Sequence, residues 1–172
     1  MTKRALNGVR QAAAAVLVLT ATEAGAVTSK SFKYPSPKTG YLQIPAVAMT
    51  FDGDNATPTF EVSWPNGSLS GNSCFNAPVD LPQGSTIVAL TYIHTGPVGF
   101  QMFRTDMATG ASNYLANFVA TAAMTRTVES LTLPTPVKVN NATTFYGLGV
   151  CLDIGEIFHG ARIKYTYTNA GD

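Results

Sequence analysis

The 172-residue sequence has few charged residues: Asp, Glu, Lys and Arg make up 12% of it, and the formal net charge is +1. An average soluble domain has about 25% charged residues. Hydrophobic residues account for 45%. This composition excludes an intrinsically disordered chain, because disorder requires low hydrophobicity and high net charge. It also argues against a nucleic-acid-binding protein, which typically presents a strongly basic surface.

Long hydrophobic runs are lacking as well, since a membrane-spanning helix needs about 20 apolar residues. A short apolar run, 12–20, follows the basic residues Lys3, Arg4 and Arg10 and precedes the small residues 24–26 (AGA). This order of basic, apolar and small residues is typical of a secretory signal peptide. We therefore expect residues 1–26 to be a cleaved signal peptide and the mature protein to be secreted, periplasmic or on the cell surface, with no membrane span.

Cleavage would change the charge of the protein. The predicted signal peptide holds three basic residues and one acidic residue, so eight basic and nine acidic residues remain, a net charge of −1. A nearly neutral mature chain offers no single-sign field to attract a polyanion.

Helical periodicity is absent after the signal peptide, whereas two-residue alternation recurs to the end of the chain. Residues 157–168 alternate Ala161 and Ile163 with Arg162 and Lys164. Ten prolines and fifteen glycines separate the short alternating segments. The pattern predicts an all-β fold, an antiparallel β-sandwich that is jelly-roll-like, with about 8–10 short strands. We expect residues 27–40 to form a flexible leader, 41–168 the sandwich domain and 169–172 a polar tail.

Cysteine is scarce: the chain contains only Cys74 and Cys151. Two cysteines in an exported chain most simply form one disulfide. The bond would close a loop of about 77 residues and contribute on the order of 4 kcal/mol through loop-closure entropy.

Motifs of catalytic sites are missing. The sequence contains no G-x-S-x-G, H-E-x-x-H or G-x-x-x-x-G-K segment. His94 and His159 lie in predicted strands, where a histidine is most often structural. Asp153 and Glu156 form a carboxylate pair of the kind that glycosidases use, but acids in polar turns are usually solvated. We therefore predict that the protein is not an enzyme.

A cluster of oxygen-bearing side chains, Asp52, Asp54 and Asn55, is a candidate Ca²⁺ site, because calcium prefers oxygen ligands. The remaining positions of an EF-hand loop are absent. A turn in which Asp and Asn side chains cap the backbone explains the same residues. We expect no other cofactor.

The single tryptophan, Trp64, precedes a Pro-Asn-Gly turn. Loops carry many binding sites, and an exposed aromatic ring can stack on a ligand. Trp64 is therefore the candidate ligand-binding residue.

Residues 77–87 (APVDLPQGSTI) resemble the pattern APV-LP-GA-I of an uncharacterised family of secreted bacterial proteins. Arg104 and Asp106 before a turn, and the segment 160–166 (GARIKYT), are similar to later parts of that pattern, which ends in GVRIRYT. The resemblance covers about residues 41–168 and implies a compact secreted β-sandwich without an assigned activity. The glycine-rich segment 147–149 (GLG) departs from the family pattern.

These observations favour an exported, non-enzymatic β-sandwich protein with a structural or interaction role. The alternative is a carbohydrate- or small-ligand-binding module. The expected partner is a glycan or a protein and not a nucleic acid.

Overall fold

The computed structural model describes residues 33–53, 58–63 and 66–169. The predicted signal peptide lies outside the described residues, as do Asp54, Asn55 and Trp64. The described residues form eleven strands and one short 3-10 turn, Ala46–Ala48. The strands are β1 (Lys33–Pro45), β2 (Thr50–Phe51), β3 (Phe60–Ser63), β4 (Ser68–Gly71), β5 (Cys74–Pro78), β6 (Thr86–Thr95), β7 (Gly99–Asp106), β8 (Ser112–Val119), β9 (Thr127–Lys138), β10 (Thr144–Cys151) and β11 (Ile157–Asn169).

The strands form two antiparallel sheets. The six-stranded sheet has the order β3-β4-β11-β6-β9, with β1 also paired to β11, and the five-stranded sheet has the order β2-β5-β10-β7-β8. The predicted antiparallel β-sandwich is therefore confirmed. None of the helices in the described ranges is long and apolar enough to cross a membrane.

The hydrophobic core lies between the two sheets. The ring of Tyr92 in β6 stacks on that of Phe100 in β7, with centroids 4.2 Å apart. Phe158 in β11 packs edge-on against the same Phe100. In β11 the buried residues include Ala161 and Ile163, as the alternation predicts, and in β10 they include Tyr146, Leu148 and Val150.

Residues 33–40 differ from the expectation of a flexible leader, because they form the first part of β1 and pair with β11. Two prolines in this segment suggested a linker. Proline is tolerated in an edge strand, and the register of β1 shifts between Lys33 and Lys38. At Gly40 the ring of Tyr165 occupies the space that a side chain would take, since a β-carbon there would lie 2.3 Å from Tyr165 Cζ.

Cys74 and Cys151 form the predicted disulfide, which is confirmed. The two residues lie directly opposite each other in β5 and β10, with Cα atoms 4.0 Å apart. Their neighbours Phe75 and Val150 point into the core. Because successive side chains in a strand alternate between faces, the disulfide lies on the outer face of the five-stranded sheet.

Candidate functional site

The central strand of the five-stranded sheet has no side chain at two successive outward positions, Gly147 and Gly149. Residues 146, 148 and 150 of this strand are buried in the core, so alternation puts both glycines on the outer face. Positions two residues apart along a strand are about 7 Å apart. The missing side chains leave room over β10 for side chains of the neighbouring strands.

Side chains from the two neighbouring strands lie over these glycines. A β-carbon at Gly147 would be 2.3 Å from Phe103 Cζ. At Gly149 it would be 3.1 Å from Asn76 Oδ1 and 3.5 Å from Gln101 Oε1. We call this feature the glycine trough: Gly147 and Gly149 form its floor, and Asn76, Gln101 and Phe103 form its walls.

The register of the strands produces this arrangement. Gly149 pairs with Asn76 of β5 on one side and with Gln101 of β7 on the other. Gly147 pairs with Phe103, which in turn pairs with Tyr114 of β8. One row across the sheet therefore carries the Asn76 and Gln101 amides on either side of Gly149. The adjacent row carries the Phe103 and Tyr114 rings beside Gly147.

Two aromatic side chains extend the trough on its outer side. Tyr114 is 62% exposed and Phe145 is 61% exposed, values that are high for large rings. Each lines a cavity at the trough, of about 310 Å³ at Tyr114 and about 610 Å³ at Phe145. The two cavities share Asn76 and Phe103 and therefore adjoin. Their volumes are in the range of small-molecule sites.

The polar groups of the trough are suited to hydrogen bonding with a ligand. An Asn or Gln amide carries both donors and an acceptor. Among the described residues, neither the Asn76 nor the Gln101 amide group is held by a side-chain hydrogen bond. Asn113 and Ser112 add further polar groups to the smaller cavity.

Of the residues that the sequence singled out for binding, the structure describes only Asp52. It lines the smaller cavity beside Asn76, Gln101 and Tyr114. Asp54, Asn55 and Trp64 lie outside the described residues, so the calcium and tryptophan hypotheses stay predictions. In the described ranges, no three His, Cys, Asp or Glu side chains are grouped so as to hold a metal ion.

The carboxylate pair Asp153 and Glu156 closes a turn. The Asp153 N–H donates to Glu156 Oε2 over 2.8 Å, and the Glu156 N–H donates to the Asp153 carbonyl over 3.0 Å. Glu156 is buried. These two hydrogen bonds give Asp153 and Glu156 a structural role in stabilising the turn.

His94 is fully buried, and its imidazole ring interacts with neighbouring polar groups. Its Nδ1–H donates to the Gly96 carbonyl over 2.8 Å, and its Nε2 lies 3.7 Å from Glu129 Oε1. The Thr121 hydroxyl and backbone N–H donate to the same carboxylate. The hydroxyl bond is the main reason that the pKa of Glu129 is lowered. Burial raises the pKa of Tyr92, on the neighbouring inward position, to about 12.

Another cavity, of about 490 Å³, lies on the outer face of the six-stranded sheet, between Gln43, Thr91, His159 and Arg162. Burial lowers the pKa of His159. The guanidinium of Arg162 lies 5.0 Å from the centre of the Tyr41 ring. No Phe, Tyr or Trp side chain among the described residues lines this cavity, whereas such rings line both cavities at the glycine trough.

Neither a family model nor a curated protein matches the chain. Solved structures with a similar arrangement include the C-terminal CBM6 of the laminarinase LamC from Zobellia galactanivorans, with 18% identity over 72% of this chain and 98% of that chain and a TM-score of 0.46. A carbohydrate-binding module of Cellvibrio mixtus lichenase 5A in complex with cellotriose has 17% identity over 71% and 95% of the two chains and a TM-score of 0.41. Infectious bursal disease virus, Gx strain, has 9% identity over 78% and 33% and a TM-score of 0.39. At these identities and TM-scores the likeness carries no inference about function.

Proposed function

We propose that the protein binds carbohydrate, without catalysis, at the glycine trough. The observation that carries the proposal is the convergence of two amide groups over one glycine of the floor, beside exposed aromatic rings. A sugar ring presents both hydroxyl groups and apolar C–H surface. The Asn76 and Gln101 amides suit the hydroxyl groups, and the Phe103 and Tyr114 rings suit the C–H surface.

The floor supports the proposal through its shape. A strand with ordinary side chains at positions 147 and 149 would fill the space between β5 and β7. Glycine allows close approach to the backbone, so the Phe103 ring and the Asn76 and Gln101 amides lie low over β10, and a flat ligand can rest on them. The predicted export signal would bring the protein to the glycans of cell surfaces and their surroundings.

The test is a glycan array with the purified protein, followed by titration calorimetry with the retained sugars. Replacing Tyr114 with alanine removes an aromatic contact of about 0.5–1.5 kcal/mol beyond its buried area. We expect the affinity to fall about tenfold or more, since 1.4 kcal/mol corresponds to a factor of ten.

The matched control is Tyr41→Ala. Tyr41 is 53% exposed, but it lies in β1 of the six-stranded sheet. This variant should bind sugar as the unmodified protein does. If the folded protein retained no glycan, the proposal would be overturned. A structural or interaction role would then be the remaining hypothesis. Equal losses in both variants would contradict the location of the site.

A further inference from the structure

We propose that the cavity on the outer face of the six-stranded sheet is a second binding site, which takes a small carboxylate with an apolar body. The cavity has a volume of about 490 Å³, which is in the range of small-molecule sites. The glycine trough belongs to the other sheet, so this proposal is independent of the carbohydrate function.

The cavity forms where β11 lacks a side chain on its outer face. Arg162 is exposed between two buried neighbours, so alternation places Gly160, two residues earlier, on the same outer face. Gly160 pairs with Pro45 of β1 on one side and with Ile93 of β6 on the other. Together with Val128, these two side chains line the cavity. They offer an apolar wall to the body of a ligand.

The cation of the cavity is Arg162, which pairs with Gln43 of β1 and with Thr91 of β6. Its guanidinium carbon lies 5.0 Å from the centre of the Tyr41 ring. Among the described residues, no hydrogen bond or ion pair holds this guanidinium. Its N–H donors lie in the plane of the group, and such donors bind a carboxylate through two parallel hydrogen bonds.

No acidic side chain offsets this charge at the cavity. None of the described residues that line it is Asp or Glu. Glu129 of the neighbouring β9 pairs with the buried Tyr92, on the inner face, and faces His94. Lys164 is exposed two residues after Arg162 and adds a second positive charge to the outer face. An anion at the cavity therefore meets attraction without a competing carboxylate.

A β-bulge adds a polar ring to the wall of the cavity. The register of β11 against β6 shifts between Phe158 and Gly160, which makes His159 the extra residue, and a bulge can re-aim a side chain. The Thr95 hydroxyl oxygen lies 3.4 Å from His159 Nε2. Burial lowers the pKa of His159, so its ring is neutral at neutral pH. The charge that a carboxylate meets in the cavity is therefore that of Arg162.

The experiment is an NMR titration of the ¹⁵N-labelled protein at neutral pH and low salt with hexanoate, 1-hexanol and acetate. We expect saturable binding of hexanoate, with shifts of amides in β6, β9 and β11. Hexanol lacks the charge and acetate lacks the apolar body, so both should bind at least about tenfold more weakly. Equal binding of hexanol would overturn the carboxylate preference. Absence of saturable hexanoate binding would overturn the site and leave the carbohydrate function standing, since glycans test that function separately.

Charge variants test the role of the guanidinium. Arg162→Gln should weaken hexanoate binding about tenfold or more, and Arg162→Lys, which keeps the charge but not the planar donors, should weaken it less. The control is Arg104→Gln, which makes the same change at an exposed residue of β7 in the other sheet. It should bind hexanoate as the unmodified protein does. Equal losses with Arg162→Gln and Arg104→Gln would attribute binding to net charge and overturn the site.

A substitution that fills the cavity tests its location. Val128 is 62% exposed, so Val128→Phe needs no space in the core and should reduce hexanoate binding without changing the free energy of unfolding. The control is Val119→Phe at a 69% exposed residue of β8 in the other sheet, which should leave hexanoate binding unchanged. Full hexanoate binding by Val128→Phe would overturn the placement of the ligand in this cavity.

Discussion

Replacement of Gly147 by alanine tests whether the floor of the trough is shaped for the ring above it. A β-carbon at this position would lie 2.3, 2.6 and 2.9 Å from Cζ, Cε2 and Cε1 of Phe103. All three contacts are shorter than the 3.5–4.0 Å optimum for two carbon atoms. The Phe103 ring must therefore move away from its position over β10.

The free energy of unfolding should fall as a result. Adding a methyl group to a packed site usually costs about 1–3 kcal/mol. Replacing a strand glycine by alanine also restricts the unfolded chain, which stabilises the protein by about 0.4–1 kcal/mol. The expected net loss for Gly147→Ala is about 1–2 kcal/mol, and binding at the trough should weaken because the Phe103 wall moves.

Gly99 in β7 of the same sheet provides the matched control. A β-carbon there would lie 3.5 Å from Cys151 Cβ, an ordinary contact. Gly99→Ala should therefore be neutral or slightly stabilising. The free energy of unfolding of both variants is measured by urea denaturation, with circular dichroism as the signal. If Gly147→Ala proved as stable as Gly99→Ala, the packing of Phe103 against Gly147 would be refuted as the reason for the glycine.

Three further predictions concern stability. Reduction of the Cys74–Cys151 disulfide should cost about 4 kcal/mol and lower the Tm by about 12 °C at roughly 3 °C per kcal/mol; a calorimetric scan with and without reductant checks this, and an unchanged Tm would contradict it. The lowered pKa of Glu129, caused chiefly by the Thr121 hydroxyl, gives stability that is complete above the ordinary value of 4.5 and is lost as the pH falls through the folded-state value. Stability measured from pH 6 to pH 3 should therefore fall more steeply in the unmodified protein than in Thr121→Val, and parallel curves would argue against this bond. Glu156→Ala should destabilise the fold by about 1–2 kcal/mol, because the turn loses a buried acceptor, whereas Glu156→Gln keeps an acceptor oxygen and should lose less in the same urea assay.

The strands with regular alternation could be predicted from the sequence. In β11 the small and apolar residues Ala161 and Ile163 alternate with Arg162 and Lys164, and one buried face is enough to define such a strand. The disulfide followed from the presence of two cysteines in an exported chain. The prediction of a flexible leader was wrong for residues 33–40. Their pairing depends on β11, which is more than 120 residues away in the sequence, and a local sequence pattern does not indicate so distant a partner.

The glycine trough could not be predicted for a related reason. The segment Gly147-Leu148-Gly149 is visible in the sequence, but a glycine in a strand has several explanations. Its meaning depends on Asn76 and Phe103, which reach the floor from β5 and β7 through a register set by the whole sheet. Only the fold shows that Tyr114 lies on the outer face, because it pairs with Phe103 after a register shift between β7 and β8.

The position of the disulfide has a consequence for the affinity of the trough. Cys74 is two residues from Asn76, and Cys151 is two residues from Gly149, so all four lie on one face. The covalent link thereby joins a wall strand to the floor strand beside the binding groups. A site that is already ordered loses less conformational entropy when a ligand binds, and such preorganisation increases affinity without a new contact.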